Sequence, residues 1–412
     1  MNAFILFLAN AIKLGIGFLT YLIIARELGA ENLGLFSAST STASILCYIV
    51  DIGINGGMLI MVSKSISKGE ITNAVNFVRV NLLFKIFAGV ILFALAVWLG
   101  NFIGISIYNK KSIILPLQLV FIGIFLTLIQ DAIDFTLRAY GRFSFYSLFR
   151  LISAASIFLG ILVFVSIKNI SLSKTIIAYY WIAPVITIAI SFIFFMPKGI
   201  MIKTCTILNT KAVFFKMVSF SKWLFVGGLA EGIARNINTL TLTRMVSLRE
   251  VGIYDVALKL SDIMEVFSAT SSALLLTSAS SLLSKEDGRR FIIERTRILG
   301  IFSIGIILVI PFSSYIIKAL FGESYLLSAG IFKILIIGSI FEILSQPFLY
   351  TLYSLEKPDK VAAVRIILSV FSFIIAIIFI SIYNVKGAAI SLLIFRFAGL
   401  IIFGIMAWKV TK

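Results

Sequence analysis

The chain has 412 residues, 60% of them hydrophobic, and its mean hydropathy is +1.10. Such a chain is not an ordinary soluble domain, and no segment is long and polar enough to form a separate aqueous one. The formal charge of +18 comes from 36 Lys and Arg against 18 Asp and Glu, with no histidine and two cysteines, Cys47 and Cys205. A His-ligated metal and a Ser-His nucleophile are thereby excluded, no disulfide framework follows, and a carboxylate-bound ion stays open.

Apolar stretches recur along the whole chain, each of the ~20 residues that a helix needs to cross a ~30 Å hydrocarbon layer. Twelve spans are expected, at about 4–24, 35–62, 80–99, 113–135, 145–167, 175–196, 218–242, 253–281, 298–317, 328–352, 361–383 and 387–408. The N-terminus lacks a basic n-region, so the first segment reads as a retained helix rather than a cleaved signal. Spans two and eight are longer than the bilayer needs and should tilt or extend into water. Pro184, Pro311 and Pro347 fall inside spans six, nine and ten. Each interrupts the i to i−4 ladder and predicts a kink.

Loops after even-numbered spans, with the C-terminus, carry 21 Lys and Arg, and loops after odd-numbered spans carry 9. Both termini are therefore expected in the cytoplasm. The basic excess is a topology signal and an attraction to anionic lipid headgroups. Spread over many short loops, it offers no groove for nucleic acid, and no nucleic-acid partner is expected.

The chain repeats itself. A-R-E-L-G-A-E-N-L-G-L-F (Ala25 to Phe36) is echoed by T-R-M-V-S-L-R-E-V-G-I-Y (Thr243 to Tyr254), with Arg26 and Arg244, Gly34 and Gly252, and Phe36 and Tyr254 each 218 positions apart. Phe77 to Phe84 faces Arg295 to Phe302 at the same offset. At an offset of 215, Gly123 meets Gly338, Thr136-Leu137 meets Thr351-Leu352, Arg150 meets Arg365, and Asn169 meets Asn384. The colinear order marks a direct repeat. Six spans per copy is an even number, so the copies enter from one side and form a parallel repeat about an axis along the membrane normal. The expected division is an N-lobe over 1–200, a basic cytoplasmic linker over 201–217 and a C-lobe over 218–412, with a cleft between the lobes as the transport path.

Six cations lie within or near the spans, Lys13, Lys85, Arg235, Lys259, Lys333 and Arg396. Eight acids join them, Asp51, Asp131, Asp134, Glu231, Asp255, Asp262, Glu265 and Glu342. A charge at the centre of a spanning helix costs roughly 2.5–3.5 kcal/mol, so such groups mark a polar cavity. Asp255, Lys259 and Asp262 share one helical face with Glu265 at its edge, and Glu231, Arg235 and Asn238 share another. Asn10, Lys13 and Gly17 form a stripe in span one; Ser44, Tyr48, Asp51 and Asn55 form one in span two. Spans five, six and eleven are almost purely apolar and read as outer scaffold.

Blander readings stand beside these. Asp255 with Lys259, Glu231 with Arg235, and Asp134 with Arg138 have the spacing of intrahelical ion pairs. Asp131 and Asp255 also fit an interfacial position, and the favoured reading of Lys85 is that it snorkels to the headgroups. Lys13 has no acid three or four residues away, and Asp51 is its candidate partner across spans one and two. The serine-rich run Ser37 to Ser44 reads as helix packing. External loops are short and no P-loop is present, so a membrane enzyme and a built-in ATPase are disfavoured and solute movement is favoured.

A-R-E-L-G-A-E-N-L-G-L-F resembles the R-x-L-G-x-x-x-x-G-x-aromatic connection of polysaccharide-export flippases, the O-antigen flippases (Wzx type) of the multidrug/oligosaccharidyl-lipid/polysaccharide (MOP) exporter superfamily. D-I-G-I-N-G-G (Asp51 to Gly57), L-R-A-Y-G-R-F (Leu137 to Phe143) and L-R-E-V-G-I-Y (Leu248 to Tyr254) are similar to further connections of that family. The resemblance covers essentially the whole chain. It implies an all-α polytopic membrane protein, twelve transmembrane helices in two six-helix lobes, in a V-shaped MOP/MATE-like fold with alternating access. The implied cavity is lined by spans one, two, seven and eight, with Asn10, Lys13, Asp51, Asn55, Glu231, Arg235, Asn238, Asp255, Lys259 and Asp262 as candidate residues.

The implied substrate is an undecaprenyl-diphosphate-linked oligosaccharide, moved from the cytoplasmic to the periplasmic leaflet of a bacterial inner membrane. Lys13, Arg235 and Lys259 would offset a diphosphate or acidic sugars. Asp51, Glu231 and Asp262 would carry coupling H+ or bind Na+ in one state and not the other. No other cofactor is expected, and the implied partners are membrane lipids and the polysaccharide polymerase machinery. The alternative is a multidrug or organic-cation antiporter of the same superfamily, whose acids would attract cationic solutes.

Overall fold

The computed structural model describes residues 2–194, 207–279, 285–354 and 358–411. Among these every regular element is a helix. That is what an apolar chain requires in lipid, where each backbone N–H and C=O must be paired within its own segment. Helix α1, Asn2–Asp51, holds the first two spans and breaks at Gly29 (φ 71, ψ 170). Helix α2, Ile54–Ser67, begins after Ile52 (φ 49) and Gly53 (φ 71). The single long second span is thus two helices. Gly53 reaches positive φ without strain, whereas a β-branched residue such as Ile52 does so only at a cost.

Helix α3, Ile71–Phe102, runs into a π turn at Ile103–Ile107, and α4, Ile114–Ala139, and α5, Phe143–Ser166, follow. The sixth span is α6, Leu172–Ile177, a π turn at Ala178–Ile182, and α7, Ala183–Phe194. Pro184 sits at the second position of α7, where its missing N–H is tolerated. Helices α8, Ile207–Met245, and α9, Leu248–Ala279, are followed by α10, Lys285–Ile307. Pro311 lies in the 3-10 turn Ile310–Phe312 that separates α10 from α11, Ser313–Phe321. Pro347 lies inside α12, Ser328–Ser354, without interrupting it. Helix α13, Pro358–Thr411, holds the last two spans and breaks at Asn384 (φ 50, ψ −129).

Eight helices among the described residues are long and apolar enough to cross a membrane, and two of them, Ala9–Asp51 and Ala363–Thr411, contain these breaks. Each of those two supplies two spans. The bent pair Lys211–Lys222 and Phe225–Met245 of α8 supplies another, and α9 occupies the place of the expected eighth span. The protein is a multi-pass membrane protein, and side chains such as Phe87, Trp98, Ile193, Leu308 and Tyr315 point outward as a lipid-facing surface would.

The chain divides into two compact units, Met1–Leu28 with Ser39–Gly232, and Gly29–Ala38 with Ile233–Lys412. In the first, Ile54, Met58 and Val62 of α2 pack with Val75, Phe77 and Val78 of α3 and Met217 of α8. Gly57 allows this closeness, because a Cβ there would lie 3.2 Å from the Met217 carbonyl oxygen. In the second, Ile292, Leu349, Leu352, Leu368 and Phe403 join α10, α12 and α13.

The second unit also shows what the repeated motif does. A Cβ on Gly34 would fall on the Leu248 carbonyl, 2.8 Å from its carbon and 3.0 Å from Gly252 N. A Cβ on Gly252 would fall on the Ala30 carbonyl, 2.9 Å from its carbon and 3.0 Å from Gly34 N. Ser37 Oγ donates to Asp255 Oδ1 at 2.7 Å. Ala30 and Leu248, Gly34 and Gly252, and Ser37 and Asp255 are each 218 residues apart. Equivalent residues of the two copies therefore meet each other, in a self-complementary backbone contact that only glycine permits.

Candidate functional site

In the first unit a cavity of about 290 Å³ opens among α1, α4, α5 and the π turn before α7. Lys13 and Gly17 reach it from α1, Gln130, Asp131 and Asp134 from α4, and Arg150 and Ser153 from α5. Helical spacing explains the grouping. Gln130 and Asp134 are one turn apart, as are Lys13 and Gly17, and Arg150 and Ser153 are three apart.

Asp134 is the fixed point of the site. It is buried, accepts from Arg138 Nη2 at 2.6 Å through one oxygen, and from Arg150 Nε at 3.2 Å through the other. The Tyr146 ring lies 5.4 Å from Arg138 Cζ and 5.2 Å from Arg150 Cζ, and Phe135 lies 3.9 Å from Arg138 Cζ. Charge-assisted bonds on both oxygens, with aromatic faces against both guanidinium groups, hold Arg150 in one orientation. Gln130 Nε2 donates to Ser153 Oγ at 2.9 Å across the same cavity. Lys13 makes no ion pair or hydrogen bond among the described residues, and its electrostatic neighbours are Arg150 and Asp134. Two cations thus face one cavity whose central acid is already neutralised.

The expected site residues fall in several places. Lys13 lines the cavity, and Asn10 is exposed one turn earlier on α1. Asp51 does not pair with Lys13: it forms an ion pair with Lys85 of α3. Lys85 is 1% exposed, so the snorkelling reading is also overturned. The reason is physical, since a lysine enclosed by packed helices is better neutralised by a carboxylate in reach than by distant headgroups. Asn55 is buried one turn beyond and accepts from Asn81 Nδ2 at 3.0 Å.

Glu231 is partly buried near the end of the first unit, and Arg235 is exposed at the start of the second. Asn238 is buried and accepts from Ser391 Oγ at 2.7 Å. Lys259 pairs with Asp262 at 3.8 Å, three residues on, instead of with Asp255, which is buried and takes the Ser37 hydroxyl. The intrahelical pair of Asp134 with Arg138 is present as the spacing implied. Glu265 lies where no side chain is described. Arg396, also buried, donates to Ser339 Oγ at 3.0 Å. No group of three or more His, Cys, Asp or Glu is arranged for a metal among the described residues.

Asp131 and Asp134, two of the intramembrane acids that mark a polar cavity, do line one, whereas Arg150 reads in the sequence as a loop cation and is a cavity residue. The available signal was position: α5 begins at Phe143, which puts Arg150 two turns inside a helix and one turn beyond Tyr146.

The sequence matches the model of a family described as "Polysaccharide biosynthesis protein" over residues 1–276. The chain belongs to that family. No curated protein matches the sequence. Among solved structures, this polysaccharide biosynthesis protein is similar to an inward-facing multidrug resistance MATE family transporter of the MOP superfamily, at TM-score 0.81 and 13% identity over 97% of this chain and 94% of that one. It is similar to the lipid II flippase MurJ in an inward closed conformation, at TM-score 0.76 and 15% identity over 97% and 86%. A MOP superfamily transporter from Pyrococcus furiosus, described as having a binding pocket of reverse polarity, aligns at TM-score 0.66 and 13% identity over 98% and 95%. At such identities the likeness establishes the fold alone, which this chain shares with those solved transporters and which extends beyond the stretch matched by the family model.

Proposed function

We propose that this polysaccharide biosynthesis protein is a flippase that moves undecaprenyl-diphosphate-linked O-antigen, or similar polysaccharide repeat units, across a bacterial inner membrane by alternating access, with both termini in the cytoplasm. The family match supports a role in polysaccharide assembly, and the MOP fold supports movement over catalysis. The observation that carries the reading is the membrane-embedded cavity in which Lys13, without an ion pair or hydrogen bond among the described residues, stands beside an oriented Arg150. A free cation inside a span persists where a ligand of opposite charge compensates it.

Coupling follows from the remaining acids. Asp51 is held by Lys85 and Asp262 by Lys259, so uptake of H+ or Na+ at either carboxylate releases a lysine. An ion that weakens a pair present in one state shifts the balance between states. The test is removal of the gene. Loss of surface polysaccharide, with lipid-linked repeat units accumulating inside and rescue by the intact protein, is the expected result. Unchanged polysaccharide with altered tolerance to dyes and drugs would replace this reading with an organic-cation antiporter.

A further inference from the structure

We propose that the cavity of the first unit is a subsite for one acidic sugar residue, and hence that the transported oligosaccharide bears a carboxylate. The inference rests on the flippase reading and narrows its substrate.

Size sets the first limit. Ligand pockets run from ~300 to ~1,000 Å³, and this one, at about 290 Å³, sits at the small end. It suits a single ring with its substituents, the rest of an oligosaccharide lying outside it.

Charge sets the second. The lining groups Lys13 and Arg150 are cationic, and Asp131 and Asp134 are anionic. Asp134 also binds Arg138 behind the cavity wall, so the cluster carries one positive charge in excess. One negative charge on the ligand completes neutrality. A diphosphate diester brings two, and its second charge would face Asp131 with no cation left over. A carboxylate brings one.

Geometry sets the third. Asp134 engages Nε of Arg150, and the two terminal nitrogens of that guanidinium make no hydrogen bond among the described residues. They form a fork for carboxylate oxygens, with Lys13 as the second donor. Ser153 Oγ accepts from Gln130 and keeps its own proton to donate, while Gln130 Oε1 and the Asp131 carboxylate are open acceptors. Donors and acceptors alternating around a fixed cation pair are what the hydroxyl groups of a sugar ring need. A bare anion site has no use for the acceptors.

The test uses the full chain purified in detergent and three probes at matched ionic strength: D-glucuronate, D-glucose and inorganic phosphate. Thermal stabilisation by D-glucuronate, absent with D-glucose and weaker with phosphate, is expected. Lys13→Met should weaken the apparent glucuronate affinity at least tenfold, and this variant breaks no ion pair among the described residues. Arg150→Gln should do the same, and Arg150→Lys should not rescue because the fork is gone. Equal responses to glucose and glucuronate, or full affinity in Lys13→Met, would overturn the proposal. Stabilisation by phosphate equal to or above that by glucuronate would overturn it in favour of a phosphoryl group. Glucuronate binding without any polysaccharide defect on gene removal would sink the flippase reading and leave the subsite. The defect without glucuronate binding would do the reverse.

Discussion

Replacing Asp51 with Asn leaves the Lys85 ammonium, 1% exposed, without its carboxylate. Removing one partner of a buried pair costs about 3–5 kcal/mol, because the remaining charge is left desolvated and uncompensated. Asp51 is itself 23% exposed, which places the expected loss near the lower end, about 3 kcal/mol. The reverse change, Lys85→Met, leaves the more accessible member of the pair and should destabilise less. Converting both, Asp51→Leu with Lys85→Met, removes the uncompensated charge and should recover most of the loss. The pair should therefore show a coupling energy of about 2–3 kcal/mol, at the upper end for residues in contact. Thermal unfolding of the purified variants, followed by size-exclusion chromatography in detergent, measures the order of stabilities. Asp51→Asn as stable as the wild type, or a double variant no better than Asp51→Asn, would refute the buried pairing.

Other outcomes follow from the same structure. Gly34→Ala and Gly252→Ala each push a methyl into backbone and should cost about 1–3 kcal/mol, an overpacking penalty. Because the two share one contact, the double variant should be less destabilised than the two losses added. Gly15→Ala, with nothing near its Cβ position, serves as the tolerated control in the same melting experiment. Ser37→Ala removes the hydroxyl bonded to the buried Asp255 and should lower stability by about 1–2 kcal/mol, whereas Ser37→Thr, which keeps the donor, should lose less. A hydrogen bond from Lys318, at 2.6 Å, together with its charge, holds the Glu323 carboxyl below its usual range. A depressed carboxylate stabilises above its unfolded value and loses that contribution as pH falls through its folded one. Glu323 is fully exposed, so Glu323→Gln should leave the melting temperature at neutral pH unchanged.

Much of the fold could be read from spacing. Apolar stretches gave the spans, and the offset of 218 gave the repeat through Arg26, Gly34 and Phe36. The meaning of Gly34 could not be read that way. Its neighbour is the equivalent residue of the other copy, and no local pattern reports a contact across 218 positions. Lys13 was legible because charge pairing within a helix is a matter of three or four residues, and it has no such partner. The same rule failed for Lys85, whose acid lies 34 positions away on another helix. Arg150 was obscured by a different signal. Basic residues beside spans report topology so well that one lying just inside a helix is absorbed into the loop count. The break at Ile52 and Gly53 was hidden because the glycine-rich end of a span also fits close helix packing, which Gly57 does show.

The measurement closest to the central claim is flipping by the purified protein in proteoliposomes. Undecaprenyl-diphosphate-linked oligosaccharide is placed in the inner leaflet, and a sugar-modifying enzyme outside scores its arrival. Intact protein should expose the sugar well above the rate of protein-free vesicles, and Lys13→Ala should slow it about tenfold, a loss of about 1.4 kcal/mol of substrate interaction. No acceleration over empty vesicles, in a preparation that transports an organic cation, would contradict the account.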